Sequence, residues 1–141
     1  MKVTLDTNVL LSATFWKGES YKILISGEQR KIQIYASQNI IDEVKEVIQL
    51  DKFQNLLLNQ ERSHKEYIAS LLGVLTLIEI NSKVDIIKEH EEDNRIVECD
   101  LDSNSEYLIS YNKHILKHAT EINFIYQIKV VTPTEFLKLV L

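Results

Sequence analysis

The chain has 141 residues, 45% of them hydrophobic and 26% charged, which fits one globular domain over residues 1–141 with a sizeable buried core. A formal net charge of -5 argues against broad nonspecific adhesion to nucleic acid, though not against a site where cations offset the protein's own carboxylates. The single cysteine, Cys99, excludes an intrachain disulfide; no apolar run approaches the roughly 20 residues of a membrane span, and with no signal-peptide pattern the expectation is a cytoplasmic protein without a membrane partner.

Lys2 to Leu5 reads as a strand that stops at Asp6, followed by Thr7 and Asn8. Val9 to Phe15 and Tyr21 to Ile25 read as helical pieces broken near Lys17-Gly18-Glu19-Ser20. Ile32 to Ala36 alternates as a second strand, and Ser37 then caps a helix whose apolar stripe is Ile40, Ile41, Val44, Val47 and Ile48. Phe53 to Leu58 and His64 to Leu75 give two more helices, with a short strand expected at Leu77 to Ile80. A helix over Asp93 to Leu101, a strand at Tyr107 to Ile109, a short helix at Ile115 to Ala119 and a strand at Ile128 to Val131 follow. Thr132-Pro133-Thr134-Glu135 opens the terminal helix: Thr132 fits the cap, Pro133 the first helical position and Glu135 the reciprocal end of a capping box. Strands alternating with helices imply an α/β fold with a parallel sheet covered on both faces.

Chemistry enters through the acids. The carboxyl end of a buried strand is where ligands collect in such sheets, and a carboxylate there is costly unless paired or bound to a metal; Asp6 is therefore a metal ligand or a helix cap. On the helix after Ser37, Asp42 and Glu46 point away from the apolar stripe, while Glu43 lies on its flank, best placed to reach an interior site. Asp93 falls on the face shared by Val97 and Leu101, and also fits the acidic first turn of a helix. Three inward acids on separate segments suit a hard divalent cation, which activates water and stabilises displacement at phosphorus. Asn94 and Glu98 share a helix face and read as supporting or packing residues. His114 and His118 have the i, i+4 spacing of zinc ligands, but no matched cysteine or acid follows, so a solvated helix face is favoured. Lys113, Lys117 and Lys129 add positive charge to that stretch, and Trp16, Tyr21 and Tyr111 read as core or interface aromatics.

Five stretches together resemble a known family. Leu5-Asp6-Thr7-Asn8-Val9-Leu10-Leu11-Ser12, Ser37-Gln38-Asn39-Ile40-Ile41-Asp42-Glu43-Val44, Asp93-Asn94-Arg95-Ile96-Val97-Glu98-Cys99 and Tyr107-Leu108-Ile109-Ser110-Tyr111-Asn112-Lys113-His114-Ile115-Leu116 are similar, in order, to the four acid-bearing segments of the PIN-domain ribonucleases. The tail Val130-Val131-Thr132-Pro133-Thr134-Glu135-Phe136-Leu137 resembles the ending of the toxin-like branch related to VapC toxins of toxin–antitoxin pairs. The chain departs from that branch at the fourth segment, which usually carries Asp at positions 112 and 114 and here carries Asn112 and His114.

The resemblance implies a three-layer sandwich with a central parallel sheet of four to five strands flanked by helices. It implies a Mg²⁺- or Mn²⁺-dependent endoribonuclease, the toxin of a toxin–antitoxin pair, with RNA as substrate, an antitoxin as partner and a homodimer as its assembly. Asp6 and Asp93 would hold the metal, Glu43 would complete the acidic cluster and orient water, and Asn112 would stand at the second-metal position, offering a carbonyl oxygen to a metal-bound water. Thr7, Asn8 and Ser110 would contact the scissile phosphate or support the carboxylates. The lost charge weakens a second metal, and Asp100, two turns after Asp93, is expected at a sheet edge or in solvent rather than in the site. The altered fourth segment also motivates a rival: a PIN-fold module with weakened chemistry that acts by binding protein or RNA. A nucleotide-binding α/β domain is disfavoured because no Gly-rich loop follows the first strand.

Overall fold

A computed structural model describes residues 1–140. Five parallel strands form one sheet in the order β3-β2-β1-β4-β5, built from β1 (Lys2–Leu5), β2 (Gln33–Ser37), β3 (Leu75–Ile78), β4 (Tyr107–Ile109) and β5 (Lys129–Val131). The first strand is the central one: Thr4 sits opposite Tyr35 on one side and Leu108 on the other. Val3 and Leu5 point to one face and Thr4 to the other, and all three are fully buried, so helices cover the sheet on both faces as a three-layer α/β sandwich.

Between β1 and β2 run α1 (Thr7–Phe15) and α2 (Glu19–Glu28), the break falling at Gly18 as the sequence predicts. Next, α3 (Gln38–Val47) starts on Ser37, whose hydroxyl accepts the Ile40 N–H. Two further helices, α4 (Asp51–Asn59) and α5 (His64–Val74), lead to β3. That strand sits two residues earlier than expected, because Leu75 is the residue that pairs with Ile34 and its side chain is buried against the core.

Residues 79–88 form neither helix nor strand, yet Val84, Ile86 and Ile87 are buried. They are tied down by α6 (Asn94–Ser103), which a 3₁₀ turn over Glu91–Asp93 precedes. Three α6 side chains at spacing i, i+4, i+8 take the orphan backbone groups of this segment. The Asn94 amide oxygen accepts the N–H groups of Ile86 (3.1 Å) and Ile87 (2.9 Å), and its NH₂ donates to the carbonyls of Ile87 and Glu91. Glu98 accepts the Val84 N–H at 2.8 Å. Asp102 accepts the N–H groups of Asn81 and Ser82 at 2.6 and 2.9 Å. The supporting role expected of Asn94 and Glu98 is thus a side-chain ladder that stands in for a strand partner; Asp102 extends it.

The same helix corrects the expectation for Asp100. This residue is completely buried, facing β1 beside Thr4 rather than solvent, because α6 lies flat across the sheet. The helix ends at Asn104 in the left-handed region, φ 55°, where a short polar side chain is tolerated. After β4 come α7 (Lys113–Lys117) and α8 (Ala119–Tyr126), and after β5 the terminal α9 (Pro133–Leu139), which carries the expected capping box between Thr132 and Glu135. No helix among the described residues is long and apolar enough to cross a membrane.

Candidate active site

Asp6 leaves the sheet at the carboxyl end of β1 while its backbone still follows the ladder, its N–H donating to the Ile109 carbonyl at 3.0 Å. Its side chain then does two things. Oδ1 accepts the Thr7 N–H at 2.8 Å and caps α1; Oδ2 accepts the Ser110 hydroxyl at 2.8 Å from the end of β4. The helix cap that the sequence allows is thus present, made by Oδ1, and the same carboxylate is also held from β4.

Asp6 looks into a cleft of about 510 Å³ lined also by Asn39, Asp42, Glu43 and Glu46 from α3, by His90, Glu92 and Asp93 from the turn before α6, and by Arg95 from the first turn of that helix. Burial raises the Asp6 pKa above the ordinary carboxylate value, and the charge of Asp93 adds to it, against the hydrogen bonds from Ser110 and Thr7. Glu43 is also raised, first by desolvation and next by the Asp6 charge, with Asp93 and Glu46 contributing. The Thr7 hydroxyl, fully buried, lies beside Glu43 without forming a well-aligned hydrogen bond. Asp6, Glu43 and Asp93 therefore meet, from three different elements, and repel one another.

Such a cluster fits a hard cation. Asp93 Oδ2 is buried without a well-aligned hydrogen bond, its ionisable neighbour being His90 Nδ1 at 3.2 Å. Among the described residues no three His, Cys, Asp or Glu side chains are closed around a common point. Mg²⁺ does not require that: it keeps several waters and takes one or two carboxylates.

The remaining sequence-derived residues fall into two groups. Thr7 and Ser110 are buried and touch the carboxylates, so they support rather than reach outward. Asn8 is exposed on α1, and Asn112 is not among the cleft-lining residues. The Asn112 side-chain oxygen accepts the His114 N–H at 2.8 Å as the cap of α7, and its own N–H donates to Ser110 Oγ at 2.9 Å, which ties it to Asp6 through one intermediate hydroxyl. His118 bonds Glu89 at 2.7 Å and Glu121 at 3.1 Å. His114 lies 4.0 Å from Glu89 and stacks on His90, so it is no bare solvated face. Asn39, Glu46, His90 and Arg95 were missed as site residues. For α3 the signal existed: Asn39, Glu43 and Glu46 follow i, i+4, i+7 along one face.

A family model described as PIN domain matches residues 2–114. Among solved structures the chain is similar to the crystal structure of VapBC2 from Rickettsia felis bound to a DNA fragment from their promoter. The TM-score is 0.62 at 15% identity, over 94% of this chain and 98% of that one. At that identity the likeness speaks for the fold. No curated protein matches the chain.

Proposed function

The chain belongs to the PIN domain family, and from that premise we propose that it is a Mg²⁺- or Mn²⁺-dependent endoribonuclease, the toxin of a toxin–antitoxin pair. The observation that carries the chemistry is the convergence of Asp6, Glu43 and Asp93, from β1, α3 and the turn before α6, on one acidic cleft. Asp6 and Asp93 would hold the cation. Bound there, it would lower the pKa of a coordinated water and offset charge on the scissile phosphate. Glu43, on the solvent side of the cleft with a pKa raised above the ordinary value, orients the attacking water and accepts its proton. Ser110 and the Thr7 N–H hold the Asp6 carboxylate in a fixed rotamer. Asn8, exposed at the first turn of α1, is the outward residue that contacts substrate phosphate. An antitoxin partner is supported by the fold shared with VapBC2 and by the VapC-like motifs; a homodimer rests on the family resemblance.

The test is cleavage of a mixed RNA pool with Mn²⁺. Asp6→Ala and Asp93→Asn are each expected to lower the rate by at least about a hundredfold with circular dichroism unchanged; full activity in both would remove them from the mechanism. One observation favours a second reading, a binding module with weakened chemistry: Asn112 spends its side-chain oxygen on a helix cap instead of facing the cleft. Asn112→Asp separates the two by calorimetry. Tighter Mn²⁺ binding places position 112 within reach of the metal, whereas unchanged affinity leaves it a cap. RNA binding without cleavage by the unmodified protein would establish the binding module.

A further inference from the structure

Both ring nitrogens of His118 meet a carboxylate. Nε2 lies 2.7 Å from Glu89 Oε1, 29 positions away, and Nδ1 lies 3.1 Å from Glu121 Oε2 on α8. A neutral imidazole carries one N–H and one lone pair, so it donates to one of these acids and turns a lone pair toward the other. Only the imidazolium donates to both. The His118 side chain is 17% exposed, so water has little access to replace a lost bond. The Glu121 and Glu89 bonds, in that order, raise the His118 pKa above its ordinary value against the effect of desolvation. The Glu89 carboxyl is in turn held below the usual range by its own backbone N–H and by His118, with Lys117 adding to it.

The long-range bond joins two stretches that both lead to the cleft. Glu89 stands just before the 3₁₀ turn Glu91–Asp93, in neither helix nor strand. His118 closes α7, whose cap Asn112 is tied through Ser110 to Asp6. His90 and His114 stack alongside, but His114 Nδ1 is 4.0 Å from Glu89, too far for a hydrogen bond. We propose that the Glu89–His118–Glu121 bridge is a pH-sensitive latch: the imidazolium holds the cleft wall that bears Asp93 against the α7–α8 corner, and loss of its proton as the pH rises loosens that wall. His118 keeps its proton more tightly with the latch closed. The hold is therefore whole below the ordinary histidine value and is lost as pH rises through the raised one. Asp100 on α6, pushed up to about 8, also changes charge in this range and is separated from His118 by the variants below.

The test follows two readouts on the full chain without added metal. One is the His118 ring, titrated by nuclear magnetic resonance. The other is hydrogen exchange at Asp93 and Asn94, whose N–H groups bond back to His90 and Glu91 in the turn, expressed as protection relative to an unstructured chain so that the intrinsic effect of pH cancels. Protection at both amides should fall about fivefold between about pH 6 and 8, with the midpoint of the His118 titration. Glu89→Gln, at the exposed end of the bridge, should lower that midpoint and remove most of the step, because an amide oxygen does not favour the imidazolium as a carboxylate does. His118→Phe should show low protection at both pH values with the near-ultraviolet circular dichroism retained. His114→Phe and Asp100→Asn should each keep the step. Protection independent of pH in the unmodified protein, a full step surviving in Glu89→Gln, or a step abolished by Asp100→Asn or His114→Phe overturns the latch.

Discussion

At the scale of single residues, the buried carboxylates set the pH response. Asp100 has both oxygens buried with no hydrogen-bond partner, the Thr4 hydroxyl being near but misaligned, and burial pushes its carboxyl up to about 8 from 3.8. The folded state therefore holds this proton more tightly than the unfolded chain. The associated stability is whole below the unfolded value and is lost as pH rises toward about 8. Asp100→Asn should raise the stability at pH 8 by about 1–3 kcal/mol in urea unfolding and flatten its decline between pH 5 and 8; a decline as steep as before would show that another group is responsible. Asp6 and Glu43 are raised in the same sense, so the cleft loses charge on acidification before ordinary carboxylates would. Little of this was legible in the sequence. The strand-ending Asp6 stood out by its position, whereas helix periodicity placed Asp100 on the Asp93 face without revealing that α6 lies flat on Thr4. A carboxylate buried by a neighbouring strand 96 positions away leaves no local trace.

Elements were more legible where their signals are local. The five strands and the terminal capping box follow from alternation, Ser and Thr caps and one proline. What stayed hidden is the segment 79–88, whose order comes from side-chain to backbone bonds across seven to 21 positions. Asn94 is its hinge pin: both amide hydrogens and two acceptor directions are used. Asn94→Ala leaves two buried N–H groups unpaired and should cost about 2–4 kcal/mol. It should also loosen His90 and Asp93, so hydrogen exchange at Ile86 and Ile87 is expected to speed up together with a fall in Mn²⁺ affinity. Protection unchanged at those two amides would mean that apolar burial alone fixes the segment.

For the whole molecule, the acidic cleft joins β1, α3 and the turn before α6, so a cation placed there ties the central strand to the layers beside it. Any ligand that binds only the folded state raises its stability by mass action. Saturating Mn²⁺ at neutral pH is expected to raise the thermal midpoint by several degrees, as about 2–3 kcal/mol of linkage does for a domain of this size, and Asp6→Asn should erase the increment. An equal shift in that variant would locate the ion elsewhere. The parallel α/β class could be read in advance because alternation of strand and helix dictates it; the order β3-β2-β1-β4-β5 could not, since it depends on which strands meet late. That order has a consequence for synthesis. Asp6 is made early but rests on the Ser110 hydroxyl, 104 positions later, and β1 lacks its β4 neighbour until the same stretch appears. A growing chain still on the ribosome thus carries a carboxylate without its support and a sheet open along its middle. If the cleft cuts RNA, its maker is spared until nearly the whole protein has emerged.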